Sequence, residues 1–334
     1  AVVDERDENL VVNQKMNEAH TNISYMKAAD FQKMEAVEKE GKYDLIVLRA
    51  DRPDMDIKEC FTRLSSYLSE NGKLIFACEN ALGLNFLSGA VHDEDETAFT
   101  KGELEEALKE AGLSKVEFYY PMPEYKRAVS VYSDRYLPGK GDIPHVTAVY
   151  DRQRWACIHE DEISDKLVQE KAFGLFANAY LAVASKNAEN FLAVFAKYNR
   201  TRKEEFQIRT AIWEENGERY VEKTALTERA EAHIQSMSEK YEKLSEVNPG
   251  VKVLKPYYSE DKKAVRFTFL KGKTLAEILG EQIKGKKAPV EALKSAMDQV
   301  FGQAVLKKEP FSPTKPFTEV FGNSEEVISL QDAS

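Results

Sequence analysis

Between Lys73 and Pro138 the chain admits few folds. KLIFAC is an apolar run, ENALGLNFLSGA is a loop punctuated by Gly83 and Gly89, and FTKGELEEALKEAG carries apolar residues at helical spacing. A second strand, KVEFYY, ends in PMPEYK, and VYSDRYLP follows as part of a long surface hairpin. A buried strand, a glycine loop, an amphipathic helix and another strand, in that order, form the closing half of an α/β sheet of the nucleotide-binding kind.

With 334 residues there is room for two ordinary domains, and 43% hydrophobic with 10% aromatic residues can fill two cores. Cys60, Cys78 and Cys157 lie far apart without Cys/His ligand spacing, so they read as reduced thiols, with neither a disulfide framework nor a metal site. No apolar run approaches the roughly 20 residues that span a bilayer, and no signal peptide opens the chain. A cytoplasmic protein is expected, at most peripheral at the inner membrane face. Residues 1–185 hold 22 Lys and Arg against 34 Asp and Glu, and the remainder 25 against 23. The acidic first part repels polyphosphate backbones, which argues against nucleic acid as a partner, whereas the near-neutral second part can host one phosphorylated ligand.

AVVDERDENL reads as the end of a strand running into a helix. In open nucleotide-binding sheets, a carboxylate at the tip of the second strand accepts from both ribose hydroxyls. Asp4 suits that role, with Glu5 beside it, and both suit equally the capping and polarising of the helix that follows. If Asp4 ends the second strand, the first strand and its Gly-rich turn precede Ala1, and no GxGxxG-like turn occurs elsewhere in the chain. A fragment of a longer protein is therefore expected, inactive by itself. A gap or a non-native pairing should stand where the first strand normally sits, between the second and the fourth.

The blocks ENALGLNFLSGA, EAG, FYYPMPEYK and YSDRYLP occur in one order. Together they resemble a family of class I S-adenosylmethionine (SAM) dependent methyltransferases associated with bacterial surface glycans of the O-antigen and capsule type. The resemblance implies a Rossmann-like, mostly parallel sheet over residues 1–185, closed by an antiparallel pair made of the FYY strand and a strand from Phe176 to Ala184. It implies SAM as cofactor, with Asp30 and Phe31 reading the adenine, and it places Glu79 and Asn80 in the catalytic cleft at the end of the fifth sheet strand. Asp30 reads equally as a turn residue, and Asn80 as the stabiliser of the turn before Gly83. Tyr119, Tyr120, Tyr125 and Tyr132 either stack on sugar or pack the core. Arg49 to Pro53 and the acidic HDEDE of residues 92–96 depart from the family on the two loops that would hold the acceptor.

After SKNAEN the pattern changes: FLAVFAKYN, FQIRTAIWEENG and ERYVEKTAL form an antiparallel meander with an Asn-Gly hairpin. YVEK has the hydrophobic-x-Lys arrangement of the third kinase strand, whose Lys contacts nucleotide phosphates. A helix over about 228–247 carries Glu239 one helix's distance beyond Lys223, and VRFTFLKGKTLAEIL supplies a fifth strand and a hinge. Residues 186–334 thus resemble an α+β kinase-like small lobe with the start of a large lobe. The resemblance implies ATP, with Mg in the complete domain, a Lys223–Glu239 pair facing the phosphates, and Ile234, Met237 and Leu244 as the apolar stripe of the helix. The phosphate turn has Arg200, Arg202 and Lys203 in place of glycine, either clamping phosphate or simply solvated.

Two functions remain open. One is methyl transfer to a glycan or lipid-linked sugar, coupled to an ATP-binding domain. The other is a catalytically decayed pair of domains that organises glycosyltransferases.

Overall fold

The computed structural model describes residues 2–4, 7–19, 22–27, 43–50, 56–90, 97–143, 160–188, 191–247, 252–285 and 289–302. In chain order the elements are β1 (Val2–Asp4), α1 (Asp7–Met16), β2 (Tyr25–Lys27), β3 (Tyr43–Arg49), α2 (Ile57–Tyr67), β4 (Leu68–Glu79), α3 (Leu84–Leu87), α4 (Lys101–Glu110), β5 (Lys115–Met122), β6 (Ser130–Ser133), α5 (Glu160–Gln169) and α6 (Phe173–Phe176). They continue with β7 (Ala179–Ser185), β8 (Phe191–Tyr198), β9 (Ile208–Glu215), β10 (Glu218–Ala225), α7 (Glu228–Gln235), α8 (Met237–Val247), β11 (Tyr257–Tyr258), β12 (Ala264–Thr268), α9 (Leu275–Lys284) and α10 (Pro289–Phe301). Two compact units divide them, residues 1–236 with 256–270, and residues 237–255 with 271–334.

The first unit is mixed α/β with one large, mostly antiparallel sheet. Its ten strands run β11-β12-β10-β9-β8-β6-β5-β7-β4-β3, and β1 and β2 form a separate parallel pair. Only β3 and β4 are parallel within the ten. The mostly parallel sheet expected over residues 1–185 is thereby corrected: β7 runs antiparallel between β4 and β5, and β6 folds back on β5 as a hairpin. The FYY strand and β7 do form the expected antiparallel pair, with Phe118 opposite Ala182. That second strand starts at Ala179, because residues 173–176 take a helical turn instead.

Alternation builds the core beneath β4. Leu74, Phe76 and Cys78 point inward and are fully buried, and Phe61 of α2 meets Phe76 edge to face at 5.0 Å. Asp56 caps α2 by accepting from the Lys58 and Glu59 amides. Thr100 and Glu103 close a reciprocal capping box on α4, which buries Leu104, Ala107 and Leu108 and ends at Gly112 with φ +79°. The opposite side of β3 is open, with Leu45 53% and Val47 67% exposed.

The hairpin expected on the surface is interior. β6 buries Ser130, Tyr132 and Ser133 because β8 adds to its other edge, pairing Ser130 with Lys197 and Val131 with Ala196. The sheet consequently runs on across residues 185/186. From there β8, β9, β10, β12 and β11 form a five-stranded antiparallel array. Asn216 and Gly217, at φ 51° and 82°, turn β9 into β10 as the Asn-Gly pair demands.

The single helix expected over 228–247 is two. α7 ends at Ser236, burying Ala230 and Ile234, and α8 buries none of its residues, with Leu244 50% exposed. The apolar stripe expected to include Leu244 is therefore confined to the first segment. In the second unit, α9 begins with a Thr274/Glu277 capping box and packs against α10. No helix among the described residues is long and apolar enough to cross a membrane.

Candidate functional site

β4 and β5 point the same way, so Glu79, Asn80 and the Pro121 to Tyr125 segment come to one edge of the sheet. Asn80 is fully buried and every polar atom of its side chain is engaged. Its amide donates to the carbonyls of Leu175 at 2.8 Å and Ala177 at 2.7 Å, and its Oδ1 accepts from the Leu82 amide at 3.0 Å. The turn that follows needs Gly83, where a Cβ would stand 2.4 Å from Asn85 Oδ1 and 2.9 Å from the Asn80 carbonyl. This geometry makes Asn80 a lock for the edge: both of its amide protons are taken, and one acceptor position of Oδ1 is left over.

Asn178 joins the sequence blocks. Its Oδ1 accepts from the Asn85 amide at 2.9 Å and its amide donates to the Pro123 carbonyl at 3.1 Å. The loop after β4 and the PMP segment after β5 are thus held by one side chain. Glu79 is half-buried beside them, its carbonyl accepting from the Phe99 amide at 3.1 Å. Asn85 Oδ1 is buried there without a partner among the described residues.

Sequence reading did not single out the cluster of Lys101, Tyr120 and Asp134. The Lys101 ammonium, mostly buried, donates to Asp134 at 2.9 Å and to the Tyr120 hydroxyl at 3.0 Å, and lies over the Phe118 ring at 4.8 Å. Tyr120 in turn donates to Asp134. Burial first, and the Asp134 carboxylate second, push the Tyr120 phenol far above its ordinary value. It is therefore a hydrogen-bond donor at physiological pH and cannot serve as a base. Tyr132 packs against Phe173 and Phe195, and Tyr120 against Phe173, so these two rings belong to the core.

Asp4 closes β1, in register with Lys27 of β2. β1, α1 and β2 make a parallel β-α-β unit with Asp7 and Glu8 in the first turn of α1. Glu5, Asp30 and Phe31 lie outside the described residues, as does residues 92–96.

In the five-stranded array the buried carboxylate is Glu222. It accepts from Arg209 at 3.2 Å, Trp213 Nε1 at 3.2 Å and Arg266 at 3.0 Å. Lys223, on the other face, is half-buried with its ammonium 5.7 Å from the centroid of the Phe267 ring. Glu239 belongs to the second unit and pairs with Lys243 one turn along α8 at 2.5 Å, which holds its carboxyl below the ordinary value. Arg200 and Arg202 are exposed at the β8–β9 turn. Arg200 lies 5.0 Å over the Tyr198 ring, and the Gln207 amide donates to the carbonyls of both arginines at 3.1 and 2.9 Å.

No group of three or more His, Cys, Asp or Glu among the described residues could hold a metal ion. No family model and no curated protein matches the chain. The solved structures to which it is similar include methyltransferases. A SAM-dependent methyltransferase from Archaeoglobus fulgidus shares 12% identity at a TM-score of 0.30, over 55% of this chain and 84% of that one. The citrinin polyketide synthase CMeT domain shares 7% at 0.31, over 56% and 38%. The Haemonchus contortus phosphoethanolamine N-methyltransferase 2, solved with S-adenosylhomocysteine, shares 13% at 0.31, over 56% and 43%. The chain thus spans well under two thirds of the last two. Likeness at this level assigns no residue a role and fixes no activity.

Proposed function

We propose that the chain is part of a SAM-dependent methyltransferase acting on a glycan or lipid-linked sugar in surface polysaccharide assembly, with an ATP-binding kinase-like lobe beyond it. One observation carries the reading. The residue blocks on which the sequence resemblance rests, ENALGLN and FYYPMPEYK, converge at one sheet edge through Asn80 and Asn178.

SAM, when bound, supplies an already activated methyl group, so the protein has chiefly to position and to exclude water. Asp4, the last residue of β1, is the residue that would take the two ribose hydroxyls, and Asn85 Oδ1, buried without a partner among the described residues, would be an acceptor near the edge of β4. Glu79 is the carboxylate at that edge able to take a proton from an acceptor hydroxyl. Asn80 acts on Glu79 only by fixing the turn. In the kinase-like lobe, Lys223 is the phosphate ligand and Arg200 and Arg202 the clamp.

The second reading, a decayed pair of domains serving as a scaffold for glycosyltransferases, is favoured by the β8–β9 turn. Gln207 holds two of its carbonyls in a turn without glycine, an arrangement unlike a backbone cradle for phosphate. Isothermal titration of the full-length protein with SAM and separately with ATP distinguishes the readings. Methyl transfer predicts SAM binding that weakens at least about tenfold in Asp4→Asn, and turnover lost in Glu79→Gln with SAM affinity kept. Absence of SAM binding would overturn it in favour of the scaffold.

A further inference from the structure

One face of the five-stranded array carries planar side chains in a row. Phe191 of β8 stacks on Trp213 of β9, with 4.7 Å between centroids and 8° between planes. Trp213 stands opposite Tyr220 of β10 in the ladder. The Arg266 guanidinium of β12 lies 4.7 Å over the Tyr220 ring, and Tyr257 of β11, 58% exposed, pairs with Arg266. Five strands at about 4.8 Å spacing carry this row across about 19 Å.

At the outer end of the row an open groove of about 570 Å³ is walled by Tyr220, Tyr257, Arg219, Arg266, Glu218 and Thr268. That volume falls within the range of about 300–1,000 Å³ usual for small-molecule sites. Behind its wall Tyr220 Oη is buried, closed off from the groove, and without a partner among the described residues. Buried polar groups without partners are few in native proteins, and each calls for a reason. Arg266 is bonded through Nε to Glu222, which fixes the guanidinium plane and leaves its Nη donors unpaired among the described residues.

The chemistry of the wall selects its ligand. The two arginines of the lining are ion-paired with Glu214 and Glu222, and Glu215 and Glu218 line the groove as well, so an anion gains little from the site as a whole. Aromatic rings and a stacked guanidinium suit a flat, weakly apolar surface, while the unpaired N–H groups of Arg266 suit hydroxyls around its rim. A pyranose has both, with C–H bonds on its face and hydroxyls at its edge. We propose that this groove binds a pyranose unit of a carbohydrate, as a site separate from the edge of β4. It does not rest on methyl transfer, since sugar would bind here with no cofactor present.

Saturation-transfer NMR on the full chain tests it with the methyl pyranosides of glucose, galactose, mannose and rhamnose, their trisaccharides, and inorganic phosphate as competitor. Magnetisation should pass to ring protons of at least one sugar. Tyr257→Ala should weaken that sugar about tenfold, the scale of losing one aromatic face. Arg266→Lys, which keeps the positive charge and loses the stacked plane with its spare N–H donors, should weaken it severalfold. No transfer to any of these sugars, unchanged binding in both variants, or displacement of the sugar by phosphate would each overturn the proposal.

Discussion

Replacing Asn80 with alanine tests the lock at the edge of β4. The substitution removes two donors, to the Leu175 and Ala177 carbonyls at 2.8 and 2.7 Å, and the acceptor for the Leu82 amide at 3.0 Å. A hydrogen bond contributes about 1 kcal/mol net, but a buried group left unpaired costs about 1–3 kcal/mol. The Leu175 carbonyl keeps the Tyr180 hydroxyl as donor, so two such groups set an upper limit of about 6 kcal/mol, and water entering the space of the lost amide brings the expectation to about 2–4 kcal/mol. Against a total stability of about 5–15 kcal/mol, the shift is large. Urea denaturation followed by far-ultraviolet circular dichroism should show it as a lower midpoint with unchanged slope. Asn80→Asp sharpens the case, because a carboxylate among carbonyls cannot donate and its folded pKa must rise above the unfolded value of about 3.9. That variant should lose stability as pH climbs from the unfolded value, and recover on acidification, when the protonated group can donate once. A loss below about 1 kcal/mol in Asn80→Ala, with activity abolished, would refute the lock and return Asn80 to catalysis.

Three further outcomes follow from other contacts. A Cβ at Gly174 would lie 2.6 Å from the Tyr120 hydroxyl, so Gly174→Ala should cost about 1–3 kcal/mol, and the penalty measured in a Tyr120→Phe background should shrink. Burial raises the Glu214 carboxyl, but the hydrogen bonds from Arg219 at 2.9 Å and Arg135 at 2.8 Å outweigh it and leave its pKa lowered. The stability that Glu214 contributes is thus whole above its unfolded pKa of about 4.3 and lost as pH falls through the lower folded value. The difference in urea midpoint between wild type and Glu214→Gln should be constant near neutrality and vanish in strong acid; a constant difference throughout would contradict this. Glu222→Gln, which leaves Arg209 without its buried counter-charge, should lower stability by about 2–4 kcal/mol in the same assay, and no change would mean that solvent already screens the site.

Much of the fold was legible because local signals agreed with one another. The alternation of LIFAC, the glycine after its loop and the helical spacing from Leu104 to Leu108 each gave the element present. The Asn-Gly pair did the same for β9 and β10. What stayed hidden depended on partners distant in sequence. Nothing local to VYS shows that β8 will cover it, so the hairpin read as a surface one and the core position of Tyr132 as only one of two alternatives. The helix over 228–247 has continuous helical propensity, and its break at Ser236 has no proline or glycine to announce it. At the site, the part Asn80 plays in the turn before Gly83 was one reading of the sequence, while its donations to carbonyls 95 and 97 residues away were not evident. Lys223 drew attention by motif, whereas Glu222 beside it is the residue that three donors from two other strands enclose.

The place of β7 bears on how the chain can be made. Glu79 ends β4 and pairs with Ala179, so 100 residues separate the two positions, and β5 is synthesised before β7 although it lies beyond it. At about 5–20 residues per second, the apolar edge of β4 waits about 5–20 s for its neighbour on the ribosome. During that time β4 and β5, both complete and pointing the same way, are each other's most available wrong partner. The nascent chain must keep a slot between them one strand wide, and a chaperone that shields β4 until Ser185 has emerged would speed correct assembly more than one acting at any later point.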